Sequence, residues 1–236
     1  MSQNDNFGQL ISSKTVKKDE NFRGRTQSSW MSEWVQWMHG HSVIYAGLNG
    51  EILFTRGGLS YGYQFPGAPR TQVGPDYVEE VYITNDVPIY VNVRTAFYFV
   101  GEPHPFGNLT TLGNVLAACR DDHSRGDIRE DEIIKLVNPK KIDDKANKKV
   151  ALNSNYVESF GINVFVDPNS LLADQFEFPV EKGVQLSGCA VGEICILRSL
   201  PNGDYAIVTS NTGARGYKSS STFIIHVGAK RTLNQY

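Results

Sequence analysis

Apolar positions recur with two different periods along this chain. In residues 29–39 (SWMSEWVQWMH), Trp30, Trp34, Trp37 and Met38 fall at i, i+4, i+7 and i+8, one face of a helix. Ser29 can cap its start and Gly40 can end it. Beyond it the period drops to two. Leu59, Tyr61, Tyr63 and Phe65 alternate with polar residues, and the longer run Ile89, Val91, Val93, Thr95, Phe97, Phe99 follows Pro88, which suits the first position of a strand. Residues 51–56, 77–83, 160–166, 184–187, 193–198, 204–210 and 221–227 are rich in β-branched and aromatic residues, and Gly, Pro, Asn and Asp punctuate them. Pro201-Asn202-Gly203-Asp204 predicts a hairpin between 193–198 and 204–210, because Asn-Gly tolerates the positive φ of a tight loop.

Two stretches return to helical spacing. In 109–119, Leu109, Leu112, Val115, Leu116 and Cys119 share a face. In 127–137 (DIREDEIIKLV) acidic residues come early and Lys135 late, which suits a helix dipole. Residues 138–155 carry five lysines among Asp143 and Asp144 and predict a solvated loop. The first 28 residues are polar with isolated apolar positions and predict an extended arm, leaving 29–236 as the main domain. Many short strands with helices in the connections predict an all-β antiparallel sandwich. An eight-stranded jelly roll with two or three short helices fits best, since its long crossovers leave room for them.

Composition narrows the function classes. A chain of 236 residues buries roughly 72% of its unfolded surface, enough for a large core. The net charge of −2 excludes nucleic-acid binding over the whole surface, so any such contact is local. No run of 18 apolar residues predicts a bilayer span, and residues 1–25 lack the pattern of a secretion signal. Three cysteines, Cys119, Cys189 and Cys195, suit buried thiols in a reducing compartment better than a disulfide framework.

Motifs for chemistry are sparse. No phosphate-binding glycine loop and no G-x-S-x-G elbow occurs. His39 and His41 flank Gly40, His104 lies between prolines and His226 in a strand, which is no metal-ligand spacing, and nothing points to a cofactor. Arg120-Asp121-Asp122-His123-Ser124 gathers groups that could move a proton, although sequence neighbours rarely converge on one substrate atom, and a charged helix terminus explains them as well. The expectation is a protein without enzymatic activity. Trp30, Trp34 and Trp37 either plug the chain's own core or anchor a subunit interface. A carbohydrate- or ligand-binding sandwich is the alternative, with Tyr61, Tyr63, Tyr90 or Tyr98 as an aromatic platform.

Three stretches carry a resemblance. They are Trp30–Met38 followed by Glu51-Ile52-Leu53-Phe54-Thr55-Arg56-Gly57-Gly58, then Val87-Pro88-Ile89-Tyr90, and Ser219–Val227 followed by Gly228-Ala229. Together they resemble the capsid proteins of picorna-like viruses, of the dicistrovirus and marine algal RNA virus type. The resemblance implies a jelly-roll subunit of a non-enveloped icosahedral pseudo-T=3 shell, located in the virion and, during assembly, in the host cytoplasm. Its partners would be sibling capsid proteins, copies of itself, the genomic RNA and a host receptor, with no membrane. The amino-terminal arm would run along the inner face, with Lys14, Lys17, Lys18, Arg23 and Arg25 toward RNA. Some such shells carry an Asp-Asp-Phe motif for precursor cleavage. Here Asp121-Asp122 is followed by His123, and no catalytic role is assigned.

Overall fold

Strand alternation sorts the chain into two facing sheets. The computed structural model describes residues 3–39, 46–49, 52–55, 76–102, 107–125, 127–165, 185–212 and 218–228. The first sheet, in spatial order, holds β1 (Ala46–Asn49), β2 (Ile52–Thr55), β4 (Ile89–Phe99), β8 (Gln185–Leu197) and β7 (Asn155–Phe165). The second holds β3 (Asp76–Ile83), β10 (Lys218–Val227), β9 (Gly203–Thr212), β5 (Asp127–Leu136) and β6 (Lys148–Ala151). Pairing is antiparallel except for β2 on β4 and β3 on β10. Three helices, α1 (Gln3–Lys14), α2 (Gln27–His39) and α3 (Leu112–Ser124), complete the described elements.

The expected sandwich is present, but the strand order departs from a jelly roll. A jelly roll wraps one long hairpin so that nearly every connection changes sheet. Here strands change sheet in pairs: β5 and β6, then β7 and β8, then β9 and β10. That grouping, with β4-β8-β7 facing β10-β9-β5-β6, is the order of an immunoglobulin-like sandwich. The expected Pro201–Asp204 hairpin is corrected for the same reason. Its turn carries the chain from β8 in one sheet to β9 in the other, with Gly203 at φ 149°.

Long strands with both faces apolar organise the packing. On β8, Leu186, Ala190, Ile194 and Ile196 face α2, while Cys189, Val191, Cys195 and Leu197 point the opposite way. β4 reaches the same result through a bulge between Asn92 and Arg94. Before it, Ile89 and Val91 face the second sheet; after it, Phe97 and Phe99 face α2. The single alternating face read from 89–99 is therefore two half-faces. Close strand packing depends on Gly192, where a Cβ would strike the Arg94 carbonyl and Thr95.

Residues 3–28 are not an extended arm. Residues 3–14 form α1, whose Phe7 and Ile11 enter the inter-sheet core, with Phe7 stacked on Tyr205 at 6.4 Å. Val16 N–H then donates to the Ile196 carbonyl and Arg198 N–H to the Lys14 carbonyl, fastening the segment to the end of β8. The isolated apolar residues Phe7, Ile11, Val16 and Phe22 are all buried, so each is an anchor rather than noise.

Other boundaries shift for local reasons. α2 starts at Gln27, because Thr26 Oγ1, not Ser29, accepts from the first turn. α3 starts after Thr111, whose hydroxyl caps Asn114 N–H. The helix expected at 127–137 is strand β5. Ile133 is needed between the sheets and Ile134 and Leu136 on the outer face, so tertiary burial on two sides overrides the helical charge pattern. The expected loop at 138–155 contains β6 and the start of β7, and Ile142 packs over the outer apolar cluster. The alternation at Leu59–Phe65 lies outside the described residues.

Candidate functional site

Trp30, Trp34 and Trp37 face inward, within their own chain, at 5%, 0% and 4% exposure. The subunit-interface reading is corrected: α2 covers the outer face of the first sheet with this stripe. Trp34 stacks on Tyr90 and donates its indole N–H to the Thr55 carbonyl at 2.9 Å, while Trp30 donates to the Phe22 carbonyl. With the aromatic stripe turned to the sheet, the polar side of α2 is left beside edge strand β7.

That side forms a groove of about 650 Å³. One wall is Arg25 with Ser29, Ser32, Glu33, Gln36 and the rim of Trp37; the other is Gly161, Ile162, Asn163 and Phe165. Arg25 pairs with Glu33 and lies over the Trp30 ring at 4.6 Å, so the wall is fixed by an ion pair and a cation–π contact. Ser32 and Ser159 hydroxyls meet, and Ser159 also donates to the Ser28 carbonyl, tying α2 to β7 at the groove floor. A bulge at Gly161, φ 73°, bends the edge strand here, and Phe160 and Phe165 stand 62% and 55% exposed. The volume falls in the range of small-ligand sites.

A second polar cluster lies inside the sandwich. Cross-strand register places Arg94 opposite Glu193, and Glu193 opposite Tyr156, on the face of the first sheet that looks at the second. From the second sheet, Asp131 lies opposite Thr209, and Thr209 opposite Ser221. These residues form a polar layer between the inter-sheet core and the apolar contacts of α3. Ser154 donates to Glu193 at 2.9 Å, Ser210 N–H donates to Asp131, and Arg94 donates to the Asp122 carbonyl in the last turn of α3 at 2.9 Å. Burial, with the Glu193 charge adding to it, pushes Asp131 up to about 6. Burial and the Arg94 charge hold His123 below the usual imidazole range. Two buried atoms here, Thr209 Oγ1 and His123 Nε2, have no hydrogen-bond partner.

The Arg120–Ser124 cluster is the rim of that layer rather than one converging site. Arg120 makes a bidentate pair with Glu158 at 2.8 and 2.7 Å, Asp121 pairs with Arg125, and His123 packs edge-on against Tyr156. The Arg120 guanidinium holds the Glu158 carboxyl below its usual range, while burial and Glu158 push Tyr156 up to about 12.

The remaining sequence candidates scatter. Lys17, Lys18 and Arg23 are exposed, whereas Lys14 reaches Ser199 and Arg25 is committed to Glu33, so the five basic residues do not make one uniform strip. Tyr90 is fully buried and Tyr98 packs against α3, which removes both from an aromatic platform; Tyr61 and Tyr63 lie outside the described residues. His39 is buried in α2, His226 bonds Asp204 and stacks on Tyr82, and His41 and His104 lie outside the described residues. Cys119, Cys189 and Cys195 are buried free thiols. Among the described residues no helix is long and apolar enough to cross a membrane, and no cluster of three metal-ligating residues occurs.

No family model and no curated protein matches this chain. A solved chain from "Structure of PbICP-C in complex with falcipain-2" aligns over 75% of this chain and 99% of its own, at 10% identity and a TM-score of 0.28. At that TM-score the likeness carries no argument about fold or function.

Proposed function

We propose that this chain is a binding protein of the β-sandwich class that acts by surface contact and takes a polar, extended ligand of the oligosaccharide type in the groove between α2 and β7. The observation that carries the reading is the make-up of that groove. Hydroxyl, amide, guanidinium and carboxylate groups on the wall from Arg25 to Gln36 can hydrogen-bond the hydroxyls of a sugar ring, and Phe165, 55% exposed, borders the groove with an aromatic surface. The test is binding of the purified chain to an oligosaccharide array, repeated with Phe165→Ala and Asn163→Ala. Binding that both substitutions abolish supports the reading; an array without a binder contradicts it.

A second reading, the capsid subunit implied by the sequence resemblance, keeps one structural argument. Large apolar side chains stand exposed on both sheet edges, Val78 and Tyr82 on β3 and Tyr156 and Phe160 on β7, where neighbouring subunits would meet. The arm and the tryptophans, which first suggested assembly, serve the chain's own core instead. In this reading RNA contact falls to Lys17 and Lys18, both exposed. Electron microscopy of the expressed chain with its sibling proteins tests it: closed particles support it, and monomers at all concentrations contradict it.

A further inference from the structure

The polar layer inside the sandwich is not used by either reading, yet it sits where α3 meets both sheets. Its groups come from every element packed there. Arg94 comes from β4, Asp131 from β5, Tyr156 and Glu158 from β7, Glu193 from β8, Thr209 from β9, Ser221 from β10, and Arg120, Asp122 and His123 from α3. Its geometry divides one cation between two demands. Arg94 lies opposite Glu193 across the strand pair, and its Nη2 also holds the Asp122 carbonyl at the carboxyl end of α3. Asp131 faces this group from the opposite sheet, buried at 9% exposure.

We propose that this layer is a proton-operated latch on α3. With Asp131 protonated, Arg94 grips the last turn of α3. With Asp131 ionised, two carboxylates face each other across the sandwich, Arg94 is drawn between them, and the α3 end loosens. The direction agrees with the electrostatics: burial and the nearby Glu193 charge disfavour the ionised Asp131, so raising the pH through about 6 works against the closed form. His123 works the other way. Its ring is held neutral by burial and by Arg94, so acidification below its unfolded range charges it and also strains the layer. Both shifts mark a layer that favours the neutral forms of Asp131 and His123, and Asp131 governs the response to rising pH.

Opening would uncover the apolar contact beneath α3, where Leu109, Val115, Ala118 and Cys119 pack on Cys189 and Val191. Two thiols report on it. Cys119 Sγ donates to the Cys189 carbonyl at 3.3 Å and Cys189 Sγ to the Leu112 carbonyl at 3.5 Å, both beneath α3. Cys195 lies in the separate inter-sheet core and serves as an internal control.

The experiment is thiol labelling of the full chain at pH 8, read site by site by mass spectrometry, with wild type, Asp131→Asn and Glu193→Gln compared at the same pH. Comparison at one pH cancels the reagent's own pH dependence. Each unit by which a group's pKa differs between closed and open forms changes their ratio tenfold, so Asp131→Asn is expected to slow labelling of Cys119 and Cys189 by about tenfold or more. Cys195 should stay protected in all forms. Equal rates in wild type and Asp131→Asn would overturn the proposal, as would simultaneous labelling of all three cysteines, which reports global unfolding. Glu193→Gln removes the opposing charge from the other sheet, so it decides the same question if Asp131→Asn fails to fold.

Discussion

The first sheet is buried on both faces, but by different means. Its α2 side is aromatic: Trp34, Tyr90, Phe54 and Phe97 interlock, the indole N–H groups of Trp30 and Trp34 end on backbone carbonyls, and the buried Tyr90 hydroxyl carries no charge. Its α3 end, on the opposite face, is closed by charged groups and hydroxyls, Arg94, Asp131, Glu193 and Thr209 among them. Apolar burial is insensitive to protons and scales with area, whereas a buried carboxyl pair answers to pH. The contrast assigns stability and the fixed groove to the α2 side, and adjustability to the α3 end.

The largest effect that can break this contrast is at Trp34. Truncating a buried tryptophan typically costs about 3–5 kcal/mol, so Trp34→Ala should lower the free energy of denaturant unfolding by that order at every pH from 5 to 8. A loss that varied steeply with pH would show that the α2 side is not purely apolar in its energetics. Ile11→Ala comes next. If α1 seals the inter-sheet core, this substitution in a purified monomer costs about 2–4 kcal/mol; an unchanged midpoint would return the first residues to the status of a loose arm.

Asp131→Asn sharpens the other half of the comparison. A carboxyl raised to about 6 in the folded state stabilises fully below its unfolded value and loses that contribution as pH rises through about 6. Wild-type stability should therefore fall from pH 4 to 7 by about 1–3 kcal/mol through this group, and the Asn variant should lack that fall and be the more stable form at pH 7. Asn retains an oxygen to accept the Ser210 N–H, so the substitution tests charge rather than a lost hydrogen bond. Paired denaturation curves at pH 4 and 7 decide it. The smallest expected effect is Phe165→Ala. The ring is 55% exposed, so thermal stability should change by less than about 0.5 kcal/mol while ligand binding is lost.

How much of this was legible in the sequence follows from the range of each interaction. The α2 stripe was readable because Trp30, Trp34 and Trp37 are neighbours on one helix face, and β10 because residues 221–227 are rich in β-branched and aromatic residues. β5 was not, since an acidic start and a late lysine mimic a helix dipole until two apolar faces claim Ile133 and Ile134. The polar layer depends on register: Arg94, Asp131 and Glu193 come from separate strands, and the bulge after Asn92 decides which way Arg94 points. A signal was nevertheless present. Glu193 interrupts an apolar run from Cys189 to Leu197, and Arg94 stands in the middle of an apolar strand, positions where a charge calls for a buried partner. The groove was hidden because α2 and β7, distant in sequence, border it together only once α2 has docked.

The most direct test of the contact function is an amide NMR titration of the isotope-labelled chain with oligosaccharides. The account predicts shifts gathered on Ser29, Ser32, Gln36, Asn163 and Phe165, with β3 and α3 unmoved. Shifts centred on β3 or α3, or no shift with any oligosaccharide, would contradict it.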